Sequence, residues 1–292
     1  RGTNEIRPAH AEKLSELAKT IVAKIPREAP LTRQGTPIMV LGQNSLGAFP
    51  THYWQRGLWD KHGNISAPTI AKEVLDRDKA CWNCPMACSK MVSVKCGKHS
   101  GVTLEGPEYE TLFAFGGLCE IEDLNTILKA NLICDELGMD TITSGNVIGM
   151  AMRAQELNRL HAEFPINFGD RDAFLKLLEM ISSRQGIGNV LAEGARRASE
   201  SLGLQDIAVH VKGMEIPGYD PRAYNGMSLS YAVGVRGADH LRSNMYSYES
   251  KGISDRFAVS GKAAFTKKIE DKVSVVASLI ICTFVRDFYE WD

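Results

Sequence analysis

Apolar residues recur at three- and four-residue intervals along much of this chain, the spacing of amphipathic helices. Leu14, Leu17, Ile21, Val22 and Ile25 set that period between Pro8 and Ile25, and Pro8 suits a first helical turn. A second helix is expected from Pro68 to about Lys79 and a third from about Ile121 to Leu137, where Gly138 supplies a C-terminal stop. One more begins near Ser144. Phe174, Leu177, Leu178 and Ile181 mark a helix running from an Asp170 N-cap to Gly186, and another is read from Asn189 to Leu202 with Gly203 behind it. Helix-compatible pattern returns around Leu229 to Gly234 and again from about Ala263 to Ile280.

Strand signals are few. Met91 to Cys96 alternates and ends at Gly97, which favours an edge strand or hairpin arm, and Ala208 to Lys212 is the other candidate. Residues 31–66 read as loop apart from the apolar run Pro37 to Leu41, a short buried strand or helix start. The expected fold is mainly α and two-lobed with a few short strands. The lobe boundary is placed near Gly213, giving segments 1–213 and 214–292. No internal repeat or low-complexity tract interrupts this plan.

Composition narrows function. The 292 residues carry 34 Lys and Arg against 35 Asp and Glu, a net charge of −1 without a like-charge run, so there is no electrostatic footprint for nucleic acid. No apolar stretch approaches the ~18 residues of a membrane span, and the start at Arg1 has no signal-peptide core, so the chain reads as cytoplasmic. The abrupt start without Met reads as part of something longer.

Seven cysteines are present, three of them in Cys81-Trp-Asn-Cys-Pro-Met-Ala-Cys88. In a reducing compartment this C-x2-C-x3-C spacing points to metal rather than to disulfides, because three thiolates can converge from one loop onto one inorganic centre. No second knuckle or H-x3-5-H follows, which favours an iron–sulfur cluster over zinc; buried, inert thiols are the bland alternative. The order is the reverse of the C-x3-C-x2-C of radical S-adenosylmethionine enzymes. Spacing does not choose the fourth ligand among Cys96, Cys119, Cys134 and Cys282.

Two further blocks carry candidate chemistry. Glu105-Gly-Pro-Glu-Tyr-Glu-Thr111 offers Glu108 and Glu110 as general bases, although on the residues alone a solvated helix start is the simpler reading. In Gly234-Val-Arg-Gly-Ala-Asp-His-Leu-Arg242, two arginines flank His240 and suit a phosphate or a ring system, while a lone histidine is more often structural. Asp135-Glu-Leu-Gly-Met-Asp140 looks by itself like a glycine stop with flanking acids. The nucleotide-binding glycine motifs and the serine-hydrolase elbow do not occur.

Taken in order, the cysteine loop, the Glu105 to Thr111 block, Cys134 to Thr141 with Ser144-Gly-Asn146, and Gly186-Ile-Gly-Asn-Val-Leu-Ala-Glu-Gly194 together resemble the aldehyde ferredoxin oxidoreductase family. Lys212 to Arg222 and Arg236 to Arg242 support the match, which covers nearly the whole chain. Members have an N-terminal β-rich domain that cradles a tungsten, rarely molybdenum, bis-pterin cofactor, followed by two largely helical domains. The resemblance implies that this chain corresponds to the second and part of the third, with the pterin-cradling domain absent and the end at Phe288 to Asp292 stopping short of the family C-terminus.

The resemblance also implies roles. Cys81, Cys84 and Cys88 would hold a 4Fe–4S cluster with Cys282 as the distant fourth ligand. The D-x-x-G-L-(C/D) pterin motif appears as Asp135 to Asp140, so Asp135, Met139 and Asp140 would touch one pterin. Its second copy, 277–282, has Ala277 for the usual Asp and Ile280 for the usual Gly, with Ile281 at the cofactor-facing position. Arg236 and Arg242 would contact pterin, Glu110 would be the carboxylate beside the metal and His240 the neighbouring imidazole.

The implied activity is oxidation of aldehydes to carboxylic acids, with electrons passed through the cluster to ferredoxin. The implied partners are a small aldehyde and ferredoxin, with a homo-oligomer left open. Alternatives are a relative acting on aromatic acyl thioesters or hydroxy acids, or a non-catalytic helical module held by a structural metal.

Overall fold

The computed structural model describes residues 7–26 and 28–288. The opening residues Arg1 to Ile6 and the closing residues 289–292, both read above, lie outside the described residues. The predicted first helix forms as α1 (Ala11–Lys24), yet its apolar stripe stays in solvent: Leu14 is 54% and Leu17 55% exposed. α2 (Pro30–Gln34) and α3 (Ile38–Ser45) follow, so the Pro37 to Leu41 run starts a helix.

The helix expected from Pro68 to Lys79 is corrected. α4 (Ala67–Glu73) ends early, and Leu75–Lys79 is β1, a strand that leaves the core through three exposed charged residues. β1 pairs antiparallel with β2 (Ser89–Ser93), in register Lys79 with Ser89, and β2 pairs with β3 (Thr103–Glu105), in register Met91 with Glu105. Of the two readings of this alternation, β2 is the hairpin arm, paired with the strand that follows it, and being the central strand of three it is not an edge strand.

Beyond β3 lie α5 (Tyr109–Thr111) and a π-helical stretch, Leu112–Gly117, in which every residue is buried. α6 (Leu124–Leu137) and α7 (Thr141–Glu156) flank it. Asp123 caps the first by accepting from the Thr126 N–H at 2.9 Å, three residues later than the expected start, and Asp140 caps the second by accepting from the Thr143 N–H at 2.7 Å. Gly145 of α7 faces the π-helical stretch so closely that a Cβ there would stand 2.5 Å from the Ala114 carbonyl oxygen, which accounts for glycine in this helix interior despite its low propensity.

α8 (Arg171–Ser183) begins at the predicted Asp170 cap and buries the predicted Phe174, Leu177, Leu178 and Ile181. The helix read from Asn189 to Leu202 is two helices, α9 (Ile187–Leu191) and α10 (Gly194–Leu202). β4 (His210–Val211) and β5 (Met214–Glu215) form a small hairpin with Gly213 in its turn. α11 (Asn225–Val233), α12 (Met245–Ser250) and α13 (Lys262–Ser278) complete the mainly helical architecture. One buried apolar cluster extends from Val40 to Val273 and supports the site described next. No helix among the described residues is long and apolar enough to cross a membrane.

Candidate active site and cysteine loop

The Glu105 to Thr111 block turns inward. Glu110, read on its own as part of a solvated helix start, has a side chain 18% exposed, and its Oε2 accepts from the Gly218 N–H at 2.8 Å. Its Oε1 lies 3.7 Å from His240 Nε2 and has no hydrogen-bond partner among the described residues. His240 is 15% exposed and opens the short 3-10 turn His240–Arg242. Burial pushes the Glu110 carboxyl up to about 8, with Asp140 adding to the rise, and the same desolvation pushes His240 down to about 4. Both groups are therefore uncharged at pH 7, and their contact is a neutral pair rather than a salt bridge.

Tyrosines surround this pair. Tyr219 stacks on Tyr246 with ring centroids 3.5 Å apart and stands 5.3 Å from both the His240 ring and Tyr109. Tyr109 donates to the Gly218 carbonyl, while the buried Tyr231 hydroxyl has no partner among the described residues. A cavity of about 570 Å³ opens against His240, lined among others by Asp140, Thr143, Lys212, Glu215 and Arg236. His240 forms part of its wall and Glu110 stands behind. An unsatisfied carboxyl oxygen directly behind the His240 wall of a cavity is the mark of a place built to receive a polar group.

Arg236 and Arg242 are brought together by Asp239. Its Oδ2 accepts from Arg236 at 3.0 Å and from Arg242 at 3.2 Å, and its Oδ1 caps the turn by accepting from the Leu241 N–H at 3.0 Å. Sequence reading passed over Asp239, and it also missed the tyrosines as a group, since residues 109, 219, 231 and 246 meet only through packing of four separate elements.

The two copies of the D-x-x-G-L motif share a backbone. Gly138 ends α6 in the left-handed region at φ +68°, and the Met139 N–H reaches back to the Cys134 carbonyl at 2.8 Å. Ile280 follows α13 at φ +57°, and the Ile281 N–H reaches the Val276 carbonyl at 3.1 Å, the same five-residue span. The second copy thus keeps the turn while placing a β-branched residue where the turn wants glycine, at 93% exposure. Asp135, exposed, accepts from Asn131 Nδ2 at 3.0 Å, whereas Ala277 offers no such group. Since a left-handed non-glycine residue costs ~1–2 kcal/mol, Ile280→Gly is expected to stabilise the chain by about 1 kcal/mol net of glycine's own entropy. Equilibrium urea unfolding checks this; a loss of stability would show that the Ile280 side chain contributes more than its backbone costs.

The cysteine loop lies on the surface. Cys81 is exposed, Cys84 and Cys88 are half-buried, and Cys84 N–H closes a turn on the Cys81 carbonyl at 3.0 Å. Burial is the main force raising the Cys88 thiol to about 11, and Glu108, Cys282 and Cys84 add to it in that order. Cys119 and Cys134 are fully buried elsewhere, the first donating to the Gly145 carbonyl at 3.3 Å. Cys96 and Cys282 are exposed. Among the described residues no three His, Cys, Asp or Glu side chains already close around one point as a metal cage.

The family model described as aldehyde ferredoxin oxidoreductase, domains 2 and 3, matches residues 13–292. A tungsten-containing aldehyde ferredoxin oxidoreductase of Pyrococcus furiosus is 34% identical over 263 residues, covering 87% of this chain and 43% of that protein. An aliphatic sulfonate oxidoreductase, WOR-like subunit, of the same organism is 32% identical over 205 residues, covering 65% of this chain and 32% of that protein. In structure, the active-site complex BamBC of benzoyl coenzyme A reductase, solved with 1,5-dienoyl-CoA, superposes with a TM-score of 0.67 at 18% identity, over 92% of this chain and 45% of that one. The chain spans less than half the length of the curated relatives it matches.

Proposed function

Because this chain belongs to the aldehyde ferredoxin oxidoreductase family, matching its domains 2 and 3, we propose that it forms the helical part of a tungsten bis-pterin oxidoreductase that oxidises a small aldehyde to its carboxylic acid. The reading is carried by one observation: the neutral Glu110–His240 pair, 3.7 Å apart at the cavity wall, with an unsatisfied carboxyl oxygen behind it.

The residues fit the implied groups by donor chemistry. Cys81, Cys84 and Cys88 share one surface loop, with a turn closed from Cys84 N–H to the Cys81 carbonyl, and together with Cys282, whose charge would act on Cys88, they supply the four thiolates an iron–sulfur cluster takes. Asp135, Met139 and Asp140 at the end of α6, and Ile281 at the matching end of α13, would hold the two pterins, with Arg236 and Arg242 aimed by Asp239. When bound, the tungsten bis-pterin supplies the two-electron oxidation and the cluster carries the electrons away one at a time. Glu110 orients the attacking water through its unpaired Oε1 and, in its ionised fraction, takes that water's proton, since burial raises the carboxyl's proton affinity toward neutrality and brings the two forms close in energy. His240, neutral across physiological pH, donates a hydrogen bond to the substrate oxygen as negative charge develops. The tyrosine rings exclude water from this pair. With a cluster bound there, the exposed cysteine loop would offer the exit for electrons to ferredoxin.

Anaerobic metal analysis and electron paramagnetic resonance of the reduced protein, on wild type and Cys282→Ala, test the reading. About four irons per chain, with a cluster signal that is lost or altered in the variant, is the expected result. One zinc and no iron would overturn it in favour of a metal-stabilised module without redox chemistry.

A further inference from the structure

The central strand β2 buries two side chains, Val92 and Lys90, and the lysine is 4% exposed. A charge on the core side of a strand costs desolvation that a methionine of similar length would not incur, so packing does not account for it. The ammonium is instead fully used. Nζ donates to the Thr32 carbonyl of α2 at 2.8 Å, to the Ala87 carbonyl of the cysteine loop at 3.0 Å, and pairs with Asp78 Oδ1 of β1 at 3.0 Å. Three protons meet three acceptors on three different segments. The Lys90 carbonyl in turn accepts from the Gly106 N–H at 2.8 Å, at the head of the segment that carries Glu108 and Glu110.

We propose that Lys90 is a positioning residue for the metal centre of the cysteine loop, fixing the backbone on either side of Cys88 and setting one fixed positive charge beside it. The inference rests on the reading of that loop as a cluster site. Ala87, whose carbonyl Lys90 grips, stands at φ +47° immediately before Cys88, so the grip holds a turn that an alanine adopts reluctantly. A buried cation also favours whichever state of a nearby centre is more negative, which for a cluster is the reduced one, and so raises its reduction potential. Asp78, 57% exposed, offsets part of that charge from the solvent side.

The two charges give the test opposite signs. This chain, reconstituted anaerobically with iron and sulfide, is compared as wild type, Lys90→Met, Lys90→Arg and Asp78→Asn by redox titration monitored through the cluster signal, and by the rate of iron loss to a chelator. Lys90→Met is expected to lower the midpoint potential and to lose iron several-fold faster, Asp78→Asn to raise the potential with iron loss within twofold of wild type, and Lys90→Arg to stay near wild type in potential. Should Lys90→Met fail to fold, as judged by unfolding of the metal-free chain, the upward shift in Asp78→Asn carries the test. Shifts of the same sign, or none, in a wild type that holds its cluster would overturn the role of Lys90 alone. A wild type that takes up no iron would overturn the cluster reading and this inference with it.

Discussion

Glu110→Gln is expected to make the metal-free chain more stable at pH 9 while leaving it nearly unchanged at pH 5, and to remove turnover from the cofactor-loaded enzyme. The carboxyl is pushed from 4.5 to about 8 by burial. Below the unfolded value the folded and unfolded chains both hold the proton, and Glu110 imposes no penalty. Between 4.5 and 8 the unfolded chain releases the proton and the folded chain keeps it, so stability falls as pH rises, and above 8 the whole cost of a buried carboxylate is present. At 1.36 kcal/mol per unit this amounts to roughly 3–5 kcal/mol. Glutamine retains an oxygen for the Gly218 N–H and never ionises, so it removes the alkaline loss.

His240 acts in the other direction. Its value is depressed to about 4, so its contribution is complete above 6.5 and lost as pH falls toward 4, a limb that Glu110→Gln leaves in place. Urea unfolding at pH 5 and pH 9 reads both limbs, and an equal effect of the substitution at the two pH values would show that Glu110 is not held protonated by burial. In the loaded enzyme, loss of the general base is expected to cut aldehyde-dependent dye reduction by roughly 10²- to 10⁴-fold. Turnover within tenfold of wild type would remove Glu110 from the proposed chemistry without touching the stability result.

The elements that were legible in the sequence are those whose caps and period agree. α8 has both, an Asp170 cap and four buried apolar residues on one stripe, and it forms where expected. β1 has neither: Leu75-Asp-Arg-Asp-Lys79 neither alternates nor buries its charged centre, and it is a strand because β2 lies beside it, a fact carried by residues 14 positions away. The site divides in the same way. Local motifs drew attention to Glu110, His240 and the cysteine loop, and the family resemblance marked Ile280 as the departure in the second pterin motif. The burial that shifts Glu110 and His240 arises where segments far apart in the sequence pack together, Tyr219 and Tyr246 against the His240 ring among them, and Lys90 lies just before the strand as read from Met91, so nothing local marks it as buried. Asp239 escaped because its role is to aim two arginines, which shows only when all three are in place.

Glu249→Ala should cost ~3–5 kcal/mol of stability, the largest loss expected from a single side chain outside the cavity. Glu249 is wholly buried. Its Oε1 accepts from the Gly226 N–H at 2.8 Å and its Oε2 from the Met227 N–H at 3.1 Å, two of the otherwise unpaired donors in the first turn of α11, and Lys262 Nζ sits 2.7 Å from Oε1. The lysine, 5% exposed on its side chain, is further held by Ser254 Oγ at 2.9 Å and by the Asp255 carbonyl. Removing the carboxylate leaves a buried ammonium without its counter-charge and two helix donors without acceptors, so the penalty exceeds the net value of the pair itself. The double variant Glu249→Met with Lys262→Met removes both charges and should recover more than half of the loss, whereas two independent sites would add. Urea unfolding of the two single variants and the double variant measures this coupling, and additivity would show that the pair is not one unit.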